Sequence, residues 1–211
     1  GKKYVIPVIG KYNVSNALAA ISALKVLGID DKNMNTLLRD FSGVRGRMNV
    51  LQKEPFMIIV DFAHTPNALK SALESASKLK KKNSKIILVF GCASKRDDYK
   101  RPIMGEYAKK YADITILTAE DCRMESLKKI NDEIEKGWKE YQTNEKRQLI
   151  RFDDDTHNIK VRRDAIKKAI SLASSGDIVL ITGKGHERSL CFGLKEYEWS
   201  DIAEIKKLIR R

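Results

Sequence analysis

Met57–Ile58–Ile59–Val60–Asp61–Phe62–Ala63–His64–Thr65–Pro66–Asn67 decides the fold. Four apolar residues in a row, closed by an acid, read as a buried strand. After the polar crossing, Leu69, Leu73, Ala76 and Leu79 recur at three and four residues, the period of a helix with one apolar face. Thr65 is placed as its N-cap and Pro66 in its first turn, where a missing N–H costs nothing. The unit is strand, short crossing, helix. In an open α/β sheet such a crossing lies at the carboxyl end of the strand, where ligands bind. Asp61 and His64 are therefore site candidates. The plain alternative is an Asp that caps the next turn and a His bonded to it.

The same pattern repeats downstream. Ile86–Gly91, Ile114–Thr118, Gln148–Phe152 and Ile178–Thr182 are further strand candidates with helical stretches between them. Leu127, Ile130, Ile134, Trp138 and Tyr141 make one apolar stripe; Ala165, Ile166, Ala169 and Ile170 make another. Nearly all-apolar strands separated by helices predict a Rossmann-like, mainly parallel sheet with helices on both faces. Cys191–Phe192 and Glu196–Tyr197 suggest a hairpin, and Asp201 to Ile209 a closing helix.

The first 47 residues read differently. Gly1 to Gly10 suggests a strand or two. Asn13 or Asn16 is a candidate cap for a helix ended by Gly28, and a second short helix runs from about Lys32 to Phe41. Two helices without a sheet predict the tail of a larger domain. The chain opens on Gly1 rather than Met and is read as a piece of a longer product. Val44–Arg45–Gly46–Arg47 is a linker, either a solvated hinge or a phosphate clamp. Domains are thus expected at residues 1–47 and 48–211.

Composition narrows the function. The formal charge is +13 over 211 residues, but the lysines are scattered and not interleaved with aromatics, so nucleic acid is not expected as a partner. No run of residues reaches the apolar length of a membrane helix. Cys92, Cys122 and Cys191 are isolated and odd in number, which suits a reducing, cytoplasmic setting and gives no metal-ligand spacing. Gly183–Lys184–Gly185–His186 is not a Walker A loop, and His157 is expected to be merely exposed beside Asp153–Asp154–Asp155.

Three more crossings should converge with the first: Phe90 to Asp97, Thr118 to Arg123 and Gly183 to Glu187. Arg96, Arg123 and Lys184 offer donors to carboxylates or phosphates, and Asp121 and Glu187 suit an ammonium. Together they outline a site for a charged zwitterion.

Asn13–Val14–Ser15–Asn16–Ala17–Leu18–Ala19–Ala20, Gly46–Arg47–Met48, Asp61–Phe62–Ala63–His64–Thr65–Pro66, Phe90–Gly91–Cys92, Lys100–Arg101–Pro102 and Gly183–Lys184–Gly185–His186–Glu187, in that order, resemble the Mur ligases. The nearest resemblance is to members that add the third residue of the peptidoglycan stem peptide. That implies an ATP- and Mg2+-dependent amide ligase acting through an acyl phosphate. Its partners would be a UDP-linked muramoyl dipeptide and a diamino acid, meso-diaminopimelate or L-lysine. The chain would be the tail of the central ATPase domain plus the C-terminal domain, inactive alone, with the metal ligands upstream and the whole protein a monomer. The resemblance puts Asn13 or Asn16 at the adenine, Arg47 at the ATP phosphates, Asp61 at the ribose and His64 beside it. Arg96 and Arg123 would hold the distal carboxylate of diaminopimelate, and Gly183 and Glu187 its distal amine.

Two departures stand out. The family's Asp–Asn–Pro–Arg is here Glu120–Asp121–Cys122–Arg123, and its Gly–Gly–Asp–Arg–Asp is Ala93–Ser94–Lys95–Arg96–Asp97. Asp121 removes an amide donor and adds a charge, while the retained Arg123 leans toward diaminopimelate. Two alternatives stay open: a Mur-like ligase with another amino acid or acceptor, and a non-catalytic ligand-binding module.

Overall fold

The computed structural model describes residues 3–94, 97–154 and 158–210. Arg96 and His157 lie outside the described residues. The central six-stranded sheet is built from β1 (Asn49–Gln52), β2 (Met57–Val60), β3 (Ile86–Phe90), β4 (Ile114–Leu117), β5 (Gln148–Arg151) and β6 (Ile178–Ile181), in the spatial order 1-2-6-3-4-5. Every pairing is parallel except that of β1 with β2. β3, β4 and β6 are buried along their whole lengths, as strands covered on both faces must be.

Chain direction explains the layers. From β2 to β3, β4 and β5 the chain moves one way across the sheet, through α3 (Pro66–Leu79), α4 (Lys100–Tyr111) and α5 (Leu127–Glu140). Right-handed crossovers put these three on one face, where α4 packs between α3 and α5. The return from β5 to β6 puts α6 (Lys160–Leu172) on the other face, against β3, β4 and β6 and beside α7 (Asp201–Ile209). Thr65 caps α3 and Pro66 opens it, as the sequence predicts. The hairpin β7 (Ser189–Phe192) and β8 (Lys195–Glu198) forms a separate two-stranded sheet.

The N-terminal segment departs from expectation in two places. Residues 3–10 hold no strand, because no neighbouring backbone is there to pair with them; Tyr4 and Ile6 instead pack on a small cluster of Ile21, Met34 and Leu38. Neither Asn13 nor Asn16 caps α1 (Tyr12–Val26). The helix starts earlier, from Lys11, and Asn13 donates its amide to the Ile9 carbonyl at 2.6 Å. Gly28 follows its C-terminus with a left-handed φ of 78°, and α2 (Asp31–Asp40) is capped by Asp30. α1 buries only Ile21, leaving Val14 and Leu18 more than half exposed. β1, absent from the sequence reading, is a half-buried edge strand that continues directly from the linker.

Candidate functional site

Parallel strands end together, so the loops after β2, β3, β4 and β6 open on one edge of the sheet. Two polar clusters lie there.

The first is centred on Phe62. The Arg47 guanidinium sits 4.7 Å above its ring, and the His64 and His186 rings lie 4.6 and 4.8 Å from it. His64 Nδ1 is 2.8 Å from the Phe62 carbonyl, which can only accept, so Nδ1 donates and Nε2 remains as an acceptor in the neutral ring. The His64–Asp61 bond of the plain alternative is not found among the described residues. Asp61 is buried. Its Oδ2 accepts from the Met48 N–H at 2.7 Å and its Oδ1 from the Ala63 N–H at 2.8 Å. Burial raises its pKa, opposed by those two amides and by Arg47. The Tyr12 hydroxyl is pushed up to about 12 by burial and then by the Asp61 charge. Tyr12 thus lies within electrostatic reach of Asp61, a residue that sequence reasoning passes over in favour of Asn13 and Asn16.

The linker is packed at Gly46, while Val44, Arg45 and Arg47 stay exposed. A side chain on Gly46 (φ 72°) would run into the His186 backbone, and one on Gly185 would meet Phe62 and the Gly46 carbonyl. Two glycines here let two backbones touch. A crevice of about 210 Å³ lies beside this junction, walled by Pro7, Val44, Arg47 and Asn49.

The second cluster is centred on Lys184, whose side chain is 1% exposed. Its ammonium donates to both oxygens of Asp121 at 3.0 Å and lies 2.5 Å from Glu187 Oε2. Asp121, at φ 42°, is also fixed by the Cys191 N–H at 2.8 Å. Glu120 lies against Gly183, with Oε2 buried and without a partner among the described residues. Burial pushes its carboxyl up to about 7, against the pull of Arg162, Lys100 and Lys184. Lys100 donates to the His64 carbonyl at 2.8 Å and so bridges the two clusters.

Arg123 pairs with neither acid on its own loop. Asp121 is taken by Lys184, and Glu125 by Arg101 and Lys129. Among the described residues no ion pair involves the half-buried Arg123. Its backbone is docked on β7, donating to the Cys191 carbonyl and accepting from the Gly193 N–H.

Two further arginines, missed as structural parts, shape this edge. Buried Arg162 binds the Ala119 and Thr182 carbonyls at 2.9 Å each and pairs with buried Asp201 at 2.7 Å, tying the roots of two site loops to α7. Arg101 is held by Glu125 and Glu133 and by the Ala93 carbonyl. Asp98, Glu125 and Glu133 approach each other closely enough to hold a cation, but the Arg101 guanidinium already pairs with all three.

Residues 46–185 match the family model described as Mur ligase, glutamate ligase domain. The chain belongs to the Mur ligase family. It is 36% identical over 215 residues to the UDP-N-acetylmuramoyl-L-alanyl-D-glutamate--2,6-diaminopimelate ligase of Prochlorococcus marinus subsp. pastoris, covering 99% of this chain and 39% of that protein. It is 38% identical over 211 residues to the enzyme of the same name from Aquifex aeolicus, covering 99% of this chain and 41% of that one. A solved structure of such a ligase superposes with a TM-score of 0.70 at 30% identity, covering 98% of this chain and 40% of the other. A pseudomurein peptide ligase type C from Methanothermus fervidus shares the fold, with a TM-score of 0.67 at 24% identity. The chain thus spans about two fifths of the length of these relatives. The Mur ligase match includes Arg47, Asp61, His64, Asp121, Arg123 and Gly183 and ends before Glu187.

Proposed function

We propose that this chain is the C-terminal portion of an ATP-dependent amide ligase that joins meso-diaminopimelate to a UDP-linked muramoyl dipeptide. Residues 1–47 are then the tail of the central ATP-binding domain, and residues 48–211 the amino-acid-binding domain. The observation that carries the amino-acid assignment is Arg123, which has no ion-pair partner among the described residues, on the loop that also bears Asp121. A planar guanidinium without a partner, beside acids that suit an ammonium, matches a head carrying both charges.

In this reading the carboxylate of the acceptor takes the γ-phosphoryl group of ATP, releasing ADP. The amine of diaminopimelate then attacks the acyl carbon, expels phosphate and loses a proton. Arg47 holds phosphate oxygens. Asp61 receives the ribose: each of its oxygens accepts one backbone amide and keeps a lone pair for a hydroxyl. His64 offers Nε2 beside it, and Asn13 or Asn16 faces the adenine. Mg2+, when bound, would supply charge neutralisation at the phosphates, and its ligands are assigned to the rest of the full-length protein. Arg96 and Arg123 read the distal carboxylate, and Gly183 and Glu187 the distal amine. The whole protein is read as cytoplasmic and monomeric; among the described residues, no helix is long and apolar enough to cross a membrane.

One observation favours a second amino acid. Asp121 in place of an amide adds negative charge, which suits L-lysine, although Lys184 already engages it.

The test is phosphate release by the full-length protein with ATP, the UDP-linked dipeptide and either amino acid. Release that needs both acceptor and diaminopimelate supports the reading. Residues 1–211 alone should release none, and phosphate release by them that is lost in Asp61→Ala would overturn the domain assignment.

A further inference from the structure

A buried ammonium is costly unless its charge is met. Lys184 meets two acids, yet the two contacts differ in kind. Asp121 grips it with both oxygens and is itself locked by the Cys191 N–H. Glu187 gives it one oxygen from a side chain that is 38% exposed. An ammonium arriving from solvent can therefore compete for Glu187 but not for Asp121. The Asp121 carboxylate is thus held by the protein's own cation.

The geometry separates the two acids. With Lys184 in place, Asp121 is closed to an incoming ammonium and Glu187 alone is open to it. A head that also carries a carboxylate can use Arg123, which has no ion-pair partner among the described residues, whereas a bare ammonium has only the shared Glu187 to hold it.

We propose that Lys184 is a specificity-determining positioning residue: by cancelling Asp121 it sets the site to accept a zwitterionic amino-acid head in preference to a bare ammonium. This rests on the amino-acid-binding role proposed above. Lys184 does not touch the reacting atoms. It acts through the charge of Asp121 and the placement of Glu187.

The experiment compares kcat/KM for meso-diaminopimelate and L-lysine in the full-length protein carrying Lys184→Met, Asp121→Asn or both. Lys184→Met leaves one surplus negative charge, so the diaminopimelate-to-lysine ratio should fall roughly tenfold, the scale of one charge-assisted hydrogen bond, mostly through KM. Asp121→Asn leaves one surplus positive charge, so the ratio should rise. The double variant restores the parent's net charge, and the ratio should return to within about twofold of the parent, the usual additivity scatter. A purely structural role would depress both substrates alike, with no restoration in the double variant, and would overturn the proposal. Should Lys184→Met fail to fold, the opposite shift in Asp121→Asn still decides. An unmodified protein that uses neither amino acid overturns the binding role and this proposal together, whereas unchanged ratios in active variants overturn this proposal alone.

Discussion

Gly46 and Gly185 meet backbone to backbone, joining the linker to the loop after β6 with no side chain between them. The contact turns what reads as a flexible hinge into a fitted joint. Gly46→Ala would force a left-handed alanine against the His186 peptide. Thermal or urea unfolding should show a loss of about 1–3 kcal/mol, the range for such backbone strain. An unfolding midpoint equal to the parent's would mean that the joint is loose in solution.

Among the described residues, no acid pairs with Arg123. In the full-length protein, Arg123→Ala should raise KM for meso-diaminopimelate about ten- to a hundredfold, as expected for losing a charge-assisted pair of roughly 1.5–3 kcal/mol. KM for lysine should move far less, because its distal end has no carboxylate to hold. Steady-state kinetics with both amino acids check this, and an equal small change for both would remove Arg123 from substrate recognition.

Glu120 should make stability depend on pH. Its carboxyl is raised from 4.5 to about 7 in the folded protein, so the native state binds that proton more tightly than the unfolded chain. The associated stability is present below the unfolded value and is lost as pH rises through about 7. Glu120→Gln keeps the shape and removes the titration. Its unfolding free energy relative to the parent should therefore improve from pH 4.5 to pH 8 by on the order of 3 kcal/mol. A difference that stays flat across that window would show that Glu120 keeps its charge without penalty.

The N-terminal helices should open more readily than the sheet. Their shared cluster consists of Ile21, Met34 and Leu38, whereas β3 is buried at every position. Hydrogen exchange should be fast at amides 16–38 and slow at 86–89. Equal protection in both would argue that residues 1–47 and the sheet unfold as one unit.

What the sequence disclosed was local. β2, β3, β4 and β6 are apolar runs because both faces are covered, and Thr65–Pro66 is a helix start that any context would honour. What it withheld was pairing at a distance. Lys184 finds Asp121 across 63 residues, and Arg162 finds Asp201 across 39, so no spacing rule could join them. By sequence Lys184 is a free donor and Asp121 a free acceptor; in the fold each holds the other. β1 escaped because a four-residue, half-buried edge strand carries neither an apolar run nor a clear alternation. Tyr12 escaped because a helix that starts at Lys11, without a side-chain cap, leaves no mark of its first turn.

The bond from the Met48 amide to Asp61 carries an obligation in both directions. Met48 is where the linker ends, and Asp61 is the acid assigned to the ribose. Whatever draws on that carboxylate must weaken or strengthen its grip on the linker, and the linker's posture must alter the carboxylate's appetite by the same free energy. A hydroxyl arriving at Asp61 and a change in how the linker docks at Met48 are therefore reciprocal events. A substitution that loosens the docked linker should change nucleotide affinity without touching a single group that the nucleotide contacts.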